Sequence, residues 1–329
     1  MARILILGGA GFVGYHLARR LAETPSHRIT LVDDLSRGRA DAELAALLER
    51  PFVELVRADL TDSAALAPLP REWDQVHVLA AVVGVRPVTG DPARVIRVNT
   101  LATLNVLEWA TPAAGVIFFS STSETYAGGV SRGTVPVPTP ETVPLSVDDV
   151  TNPRLAYAAS KILGETAVIH YAAAKKLPFV IGRLHNVYGP RMGADHVIPE
   201  LSLRALDRED PFKVYGPEQR RAFCHVDDAV DAILRLVDSE RAWGEIVNIG
   251  NDTEETTIAD LLALILRTAD FAPRVQALAA PAGSVARRCP DLTKLRALTG
   301  YVPKVGLEAG VRDTFAWYRA WRERERGRR

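Results

Sequence analysis

The short apolar run Arg3–Leu7 passes directly into GGAGFVG, and no other stretch of the chain restricts its fold as strongly. Gly8, Gly11 and Gly14 follow a predicted strand and open a predicted helix in which Val13, Leu17 and Leu21 recur every four residues, with Arg19 and Arg20 on the other side. Such a turn lets the backbone approach a ligand and aims the helix-start N–H groups, with Phe12 and Val13 among them, at a pyrophosphate that the helix dipole also favours. A tight strand-to-helix connection alone could use the same glycines. Asp33 narrows the choice, because it ends the second apolar run where a carboxylate can accept from both adenosine ribose hydroxyls and repel the 2′-phosphate of NADP. Arg37 and Arg39 stand close by as cations that would suit that phosphate. Asp59 and Leu60, closing the third run in RADLTD, are placed to meet the adenine, while Asp62 in the same turn fits a helix N-cap.

The first half repeats this unit of apolar run, turn and helical spacing, which is the pattern of a parallel sheet covered by helices. Strands are predicted at Arg3–Leu7, Arg28–Val32, Phe52–Arg57, Gln75–Ala80, Val116–Ser120 and Pro178–Arg183. From Asn186 the alternation loosens and prolines and glycines thicken; Glu245–Gly250 then reads as another strand and Ile258–Leu266 as a helix. The expected fold is α/β: a Rossmann-type, doubly wound parallel sheet with a smaller, discontinuous α/β lobe. Residues 1–183 would form the dinucleotide-binding domain, with a return at 222–266, and residues 184–221 and 267–329 the substrate-binding lobe. The terminal WRERERGRR reads as a frayed, solvated helix end.

Forty basic and forty acidic residues cancel, so the chain carries no footprint for nucleic acid or an anionic membrane surface. The two cysteines, Cys224 and Cys289, suggest neither a disulfide framework nor a thiolate metal site, and a reducing cytoplasm fits them best. The histidines, among them His185, His196 and His225, have no ligand-like spacing, so no metal is expected.

Chemistry is concentrated in two stretches. In LAYAASKILGE, Tyr157 and Lys161 lie four apart on a predicted helix, so both can reach one ligand. An ammonium near the phenol would lower the Tyr157 pKa and make it a base for a sugar hydroxyl, with Lys161 also holding the nicotinamide ribose. Upstream, VIFFSS runs into Thr122, Ser123 and Glu124 at the carboxyl end of a central strand, where open parallel sheets bind ligands. Thr122 could hydrogen-bond the hydroxyl being oxidised. Glu124 points further, since hydride exchange needs no second carboxylate whereas proton traffic beside a new ketone does.

Together, GGAGFVG, Asp33, SSTSETY and YAASK resemble the extended short-chain dehydrogenase family of NAD-dependent nucleotide-sugar epimerases and dehydratases, and the likeness covers nearly the whole chain. It implies NAD as a retained cofactor, a nucleotide-diphosphate sugar as substrate, a transient C4 ketone and a homodimer. RLHNVYGPRM, VYGPEQRRAFCHVDD and RRCPDLTKLRALTGYVPKVGLEAG are similar to the family's substrate-holding segments. That similarity implies Asn186 and Arg221 at the diphosphate, Arg287 or Arg288 nearby, and Tyr215 beside the nucleoside, in keeping with the bidentate fit of arginine to phosphate. Within the family, the Thr-Ser-Glu triplet, GPRM and PDLTK most resemble UDP-glucuronate decarboxylases, with 4,6-dehydratases close; Ser123 stands where a dTDP-glucose dehydratase has Asp. Val78 stands where the family usually has His, and nothing catalytic is expected of His77. Arg86, after the fourth strand, is placed to meet a sugar carboxylate or to face solvent. A simple 4-epimerase, an alcohol or steroid dehydrogenase and a non-catalytic NAD sensor are the competing readings.

Overall fold

A computed structural model describes residues 1–281 and 283–326. Its first part alternates strand and helix: Arg3–Leu7 (β1), Phe12–Leu21 (α1), Arg28–Asp33 (β2), Ala42–Leu48 (α2), Val53–Arg57 (β3), Gln75–Val78 (β4), Val85–Gly90 (α3) and Pro92–Trp109 (α4). Val116–Thr122 (β5), Ala127–Ser131 (α5), Ala156–Lys175 (α6), Phe179–Leu184 (β6) and the two-residue Val187–Tyr188 (β7) follow. Then come Val197–Leu206 (α7), Phe212–Tyr215 (β8), Arg220–Ala222 (β9), Cys224–His225 (β10), Val226–Val237 (α8) and Glu245–Ile249 (β11). The last elements are Glu255–Thr257 (β12), Ile258–Thr268 (α9), Val275–Leu278 (β13), Arg287–Arg288 (β14), Thr293–Thr299 (α10) and Leu307–Arg326 (α11).

Seven strands form one sheet in the order β3-β2-β1-β4-β5-β6-β11, and every neighbouring pair in it is parallel. The apolar runs explain this: strands buried on both faces carry near-continuous aliphatic sequence, as RILIL and VIFF do. The chain winds outward from β1 to β3, then crosses back to β4, so β1 and β4 lie side by side with their loops diverging. That switch point leaves a crevice at the carboxyl ends of the strands. One face is sealed by α1 and α8, through Leu17, Val230 and Ile233, and the other by α4 and α6, through Val106 and Val168.

The remaining segments build the second lobe around a separate apolar cluster that includes Ile198, Phe212, Leu261, Ile265 and Phe315. Its sheets are small: β9 pairs with β12 and β14, and β8 with β13. The packing divides the chain differently from the expected boundaries. Helix α9 buries Leu261, Leu262 and Ile265 against α7 and α11 in the lobe, while α10 places Leu295 in the same cluster as the sheet-covering α8. An amphipathic helix shows which of its sides is apolar but not which core receives it. The end of α11 is solvated but helical up to Arg326 instead of frayed: Arg322 and Arg326 pair with Asp207 at 2.6 and 3.2 Å, and Trp321 stacks parallel to Trp317. Residues 327–329 lie outside the described residues. No helix among the described residues is long and apolar enough to cross a membrane.

Candidate active site

The crevice holds two cavities that share Gly8, Gly11, Arg37, Leu79 and Ala81 as walls, one of about 110 Å³ and one of about 420 Å³. The smaller is lined by Asp33, Asp34, Ser36, Gly38, Asp59 and Leu60. Asp33 is buried, and its two carboxylate oxygens accept from the amides of Leu35 and Ala10 at 2.8 and 3.0 Å, which fixes the carboxylate at the rim. Burial raises its pKa, against those hydrogen bonds. Asp59 accepts from Thr61 N at 2.8 Å in a local turn, and Asp62 caps the following turn through Ala64 N.

The glycine turn fits a dinucleotide on its own geometry. Gly8 has φ +87°, and a Cβ there would lie 2.6 Å from Ala80 N; one on Gly14 would collide with the Gly8 carbonyl oxygen. Helix α1 starts at Gly11 with no side-chain cap, so the first-turn amides of Phe12, Val13 and Gly14 open on the larger cavity without an intrahelical acceptor.

The larger cavity brings Thr122, Ser123, Glu124, Tyr157, Lys161, Asn186 and Arg288 together. Strand β5 delivers the first three: Thr122 ends it and caps a tight turn over Ser123–Tyr126, its Oγ1 accepting from Glu124 N at 3.2 Å. Helix α6 delivers Tyr157 and Lys161 from one side. The Tyr157 hydroxyl hydrogen-bonds the Thr122 side chain, and its pKa is raised, first by burial and then by the charge of Glu124, against the Thr122 bond and Arg37. The expected lowering of the phenol by Lys161 is not present. The Lys161 ammonium donates to Ser120 O at 2.7 Å and faces the Phe119 ring, so its charge is spent below the phenol, and burial lowers its own pKa to about 8.

Glu124 sits among guanidinium groups. Arg288, delivered by β14, donates to its Oε1 at 2.9 Å. Burial pushes the carboxyl up, but Arg288, Arg154 and Arg221 together hold it below the ordinary carboxylate range. Arg154 also lines the cavity, three residues before Tyr157, and was not among the expected site residues. The signal was there: i, i+3 spacing puts both on one side of the chain as it enters α6.

Three expected substrate residues do not line either cavity. Arg86 has an 80% exposed side chain and pairs with Asp195 at 3.4 Å, because α3 turns it outward from the strand end. Tyr215 is 50% exposed on β8. Arg221 is paired in register with Arg288, but its donors go to the carbonyls of Val285, Ala286 and Arg220 and to Gln219, and burial, with Arg288 next, lowers its pKa to about 10. Asn186, at φ +42°, lines the cavity while its amide donates to Ala222 O at 2.9 Å. Arg287 pairs with Glu255 at 2.7 Å instead of facing the cavity. His77 is fully buried on Gln75 and Phe118, away from the crevice.

Beneath the cluster lies a buried polar lattice. Ser121 donates to Glu165, which receives two hydrogen bonds from Arg183 at 2.9 and 2.7 Å. Arg183 reaches Tyr126, Tyr126 donates to Asn248, and Asn248 meets His185. A connected lattice of this kind holds the end of β5 and the start of the lobe in one geometry.

The model of the "NAD dependent epimerase/dehydratase family" matches residues 4–250. Among curated relatives, the chain is 32% identical to UDP-N-acetyl-alpha-D-glucosaminuronate decarboxylase of Bacillus cytotoxicus, over 96% of this chain and 98% of that protein. It is 31% identical to UDP-glucuronic acid decarboxylase 5 of Arabidopsis thaliana, over 94% and 87%. Among solved structures, dTDP-glucose 4,6-dehydratase from Streptomyces venezuelae, crystallised with NAD, superposes with a TM-score of 0.87 at 27% identity, covering 98% of each chain. UDP-glucose 4-epimerase from Thermotoga maritima superposes at 0.84 with 29% identity, over 97% and 99%.

Proposed function

Because the chain belongs to the NAD dependent epimerase/dehydratase family, we propose that it oxidises the sugar C4 of a nucleotide-diphosphate uronate transiently and releases its C6 carboxylate as carbon dioxide. The enclosure of Glu124 by Arg154, Arg221 and Arg288 carries this reading, since one carboxylate cannot neutralise three guanidiniums and the surplus positive charge suits an anionic sugar substituent. The decarboxylases among its relatives, similar along nearly the whole chain, support it.

The amides of Phe12, Val13 and Gly14 would hold the cofactor pyrophosphate, Asp33 the adenosine ribose, Asp59 and Leu60 the adenine, and Lys161 with Tyr157 the nicotinamide ribose. Bound NAD supplies a hydride acceptor at the sugar C4 and returns the hydride afterwards. Tyr157, as phenolate, takes the C4 hydroxyl proton when the hydride leaves and gives it back when the hydride returns, with Thr122 hydrogen-bonded to the same oxygen. Burial opposes that phenolate; the Thr122 bond and Arg37 favour it. The C4 ketone makes the substrate a β-keto acid. The C5–C6 electron pair then moves into an enolate as carbon dioxide departs, and C5 takes a proton from solvent water. Arg154 and Arg288 orient the carboxylate before it leaves, while ionised Glu124 disfavours a second anion beside it and so favours its loss as a neutral molecule. Asn186, Ser123 and Arg221 would meet the rest of the substrate, Arg221 after its carbonyl contacts are exchanged for phosphate.

We also propose that two copies pair through α4 and α6, which pack together and leave Ile96 and Leu163 each 48% exposed. A reducing, cytoplasmic setting suits Cys224 and Cys289, both buried and free.

The test is to incubate the purified protein with UDP-glucuronate and UDP-N-acetylglucosaminuronate and to measure carbon dioxide and the sugar product, with UDP-glucose and dTDP-glucose alongside. Carbon dioxide from a uronate and a pentose-type product support the proposal. A uronate inverted at C4 with its carboxylate intact, or turnover of the neutral sugars alone, would replace it with 4-epimerisation or elimination.

A further inference from the structure

The cofactor cleft has two lips, and one short stretch of the last helix grips both. The first lip is the loop between β2 and α2: it carries Asp34, Ser36 and Gly38 along the smaller cavity and Arg37 and Arg39 along the larger one. The second is the loop between β7 and α7, where Arg191, Met192, Gly193 and His196 line the larger cavity. On the first lip, the Arg39 guanidinium lies 5.1 Å from the ring centre of Trp317 and 5.3 Å from that of Trp321, whose rings are parallel. Trp317 Nε1 donates to Glu43 Oε1 at 2.6 Å, at the start of α2. On the second lip, the hydroxyl of Tyr318, a buried neighbour of both tryptophans, donates to Met192 O. Arg191 ties the lips to each other: its Nε and Nη2 reach Asp41 at 3.1 and 3.0 Å, and Nη2 also reaches Arg39 O.

We propose that Trp317, Tyr318 and Trp321 form a clamp that positions both lips and so sets how tightly and how long NAD is held, without touching it. The inference rests on the assignment of this cleft to NAD. Three features of the clamp favour it. The rings hold a cation at the cavity wall without neutralising it, as a carboxylate would, so Arg39 keeps its charge for the phosphate-bearing part of the cleft. The contacts lie in the second half of a twenty-residue helix whose earlier turns, through Val311 and Phe315, are anchored in the lobe core, so the clamp cannot swing freely. And the aromatic pair recurs at i, i+4 on one side of that helix, the spacing needed to present two rings to one guanidinium.

The experiment compares NAD affinity and NAD release rate, measured by calorimetry and by the loss of bound NAD on dilution, for wild type, Trp321→Ala, Trp321→Phe, Arg39→Gln and the Trp321→Ala/Arg39→Gln double variant, with thermal melts as the folding control. Trp321→Ala and Arg39→Gln should each weaken NAD about tenfold and speed its release, Trp321→Phe should restore most of the loss, and the double variant should be little worse than either single one. Nucleotide diphosphate affinity should stay within about twofold. Should Trp321→Ala prove unstable, Arg39→Gln still reports from the cofactor side. Folded variants with wild-type NAD affinity and release, or losses that add in full, overturn the clamp. A wild type that binds no NAD overturns the cofactor assignment instead.

Discussion

The two halves of the crevice are made of different material. The cofactor half is built from backbone: a left-handed glycine at Gly8, close contact at Gly14, uncapped amides at the start of α1, and a carboxylate on Asp33 locked by two amides. The substrate half is built from long side chains that arrive from separate segments, Glu124 from the turn after β5, Arg154 from the turn before α6, and Arg288 from β14, which pairs with β9 in the lobe. A backbone site is damaged by adding atoms, and a side-chain site by removing them. Neighbours in sequence specify the first, whereas the second exists only after the lobe has folded.

Tyr157 stands where the halves meet, and its loss gives the largest expected effect. Tyr157→Phe should lower turnover by about two to four orders of magnitude, the scale of a missing acid–base group, with NAD affinity nearly unchanged. Steady-state rates and NAD calorimetry on the same preparation check both parts. Near-normal turnover would remove Tyr157 from the chemistry, and a parallel loss of NAD would mean that the phenol belongs to the cofactor half alone.

Glu124→Gln divides the halves in time. The cofactor, Tyr157, Thr122 and Lys161 remain, so the substrate should still reduce bound NAD, while the later step, deprived of the charge opposite Arg288, should stall. Mixing enzyme and uronate should then produce a lasting absorbance rise in the NADH band with slow carbon dioxide release, where wild type shows little accumulation. Loss of NADH formation together with product would make Glu124 a structural brace for β5 and Arg288.

How much of this was legible in the chain follows the same division. The order of apolar runs and helical stretches was enough for the parallel sheet, and the glycine turn, Asp33, Thr122, Glu124, Tyr157, Lys161, Asn186 and Arg288 are residues the sequence singled out that line the crevice. Arg86 was drawn to the site by its place after β4, yet α3 carries it outward to Asp195. Arg154 was overlooked because its neighbours give no chemical hint, although its spacing from Tyr157 does. The Tyr157–Lys161 coupling was inferred from helical spacing, which brings two side chains to one side but does not choose their partners; Ser120 O is the partner Lys161 takes. Arg39 and the tryptophans of α11 are far apart in sequence, and no local pattern joins them.

Asp33→Ala probes the backbone half by subtraction and should do less harm than the changes above. The variant loses a ribose acceptor and the repulsion of a 2′-phosphate, so NAD should weaken and its margin over NADP narrow, while the amides of α1 keep the pyrophosphate in place. Competition between NAD and NADP measures this directly. An unchanged preference would locate discrimination elsewhere, with Arg37 the nearest candidate.

The smallest effect concerns stability, and it asks whether the halves respond alike to acid. His77 is buried in β4 against Phe118, away from the crevice, and His185 in the polar lattice beneath the substrate half; burial lowers both to about 3, and His16 to about 4, from an ordinary value of 6.5. Above pH 6.5 these rings are neutral whether the chain is folded or not, so they give no slope. As pH falls below 6.5 the unfolded chain takes up protons that the folded chain refuses, so stability declines until the folded pKa values near 3 to 4 are reached, each ring contributing about 1.4 kcal/mol per pH unit. Urea unfolding at pH 7 and pH 5 should show this, and His185→Gln and His77→Gln should each remove one such share of the slope. The two variants should differ in one respect. Protonating His185 adds a cation beside Asn248, where the polar lattice leads to Tyr126 and Arg183, so wild type taken down toward pH 3, where the folded His185 takes up its proton, should lose nucleotide-sugar affinity before it loses NAD, and His185→Gln should close that gap. An acid slope that neither variant changes would assign the loss to carboxylates such as Glu124, whose pKa the arginines depress, and both halves would then fail together.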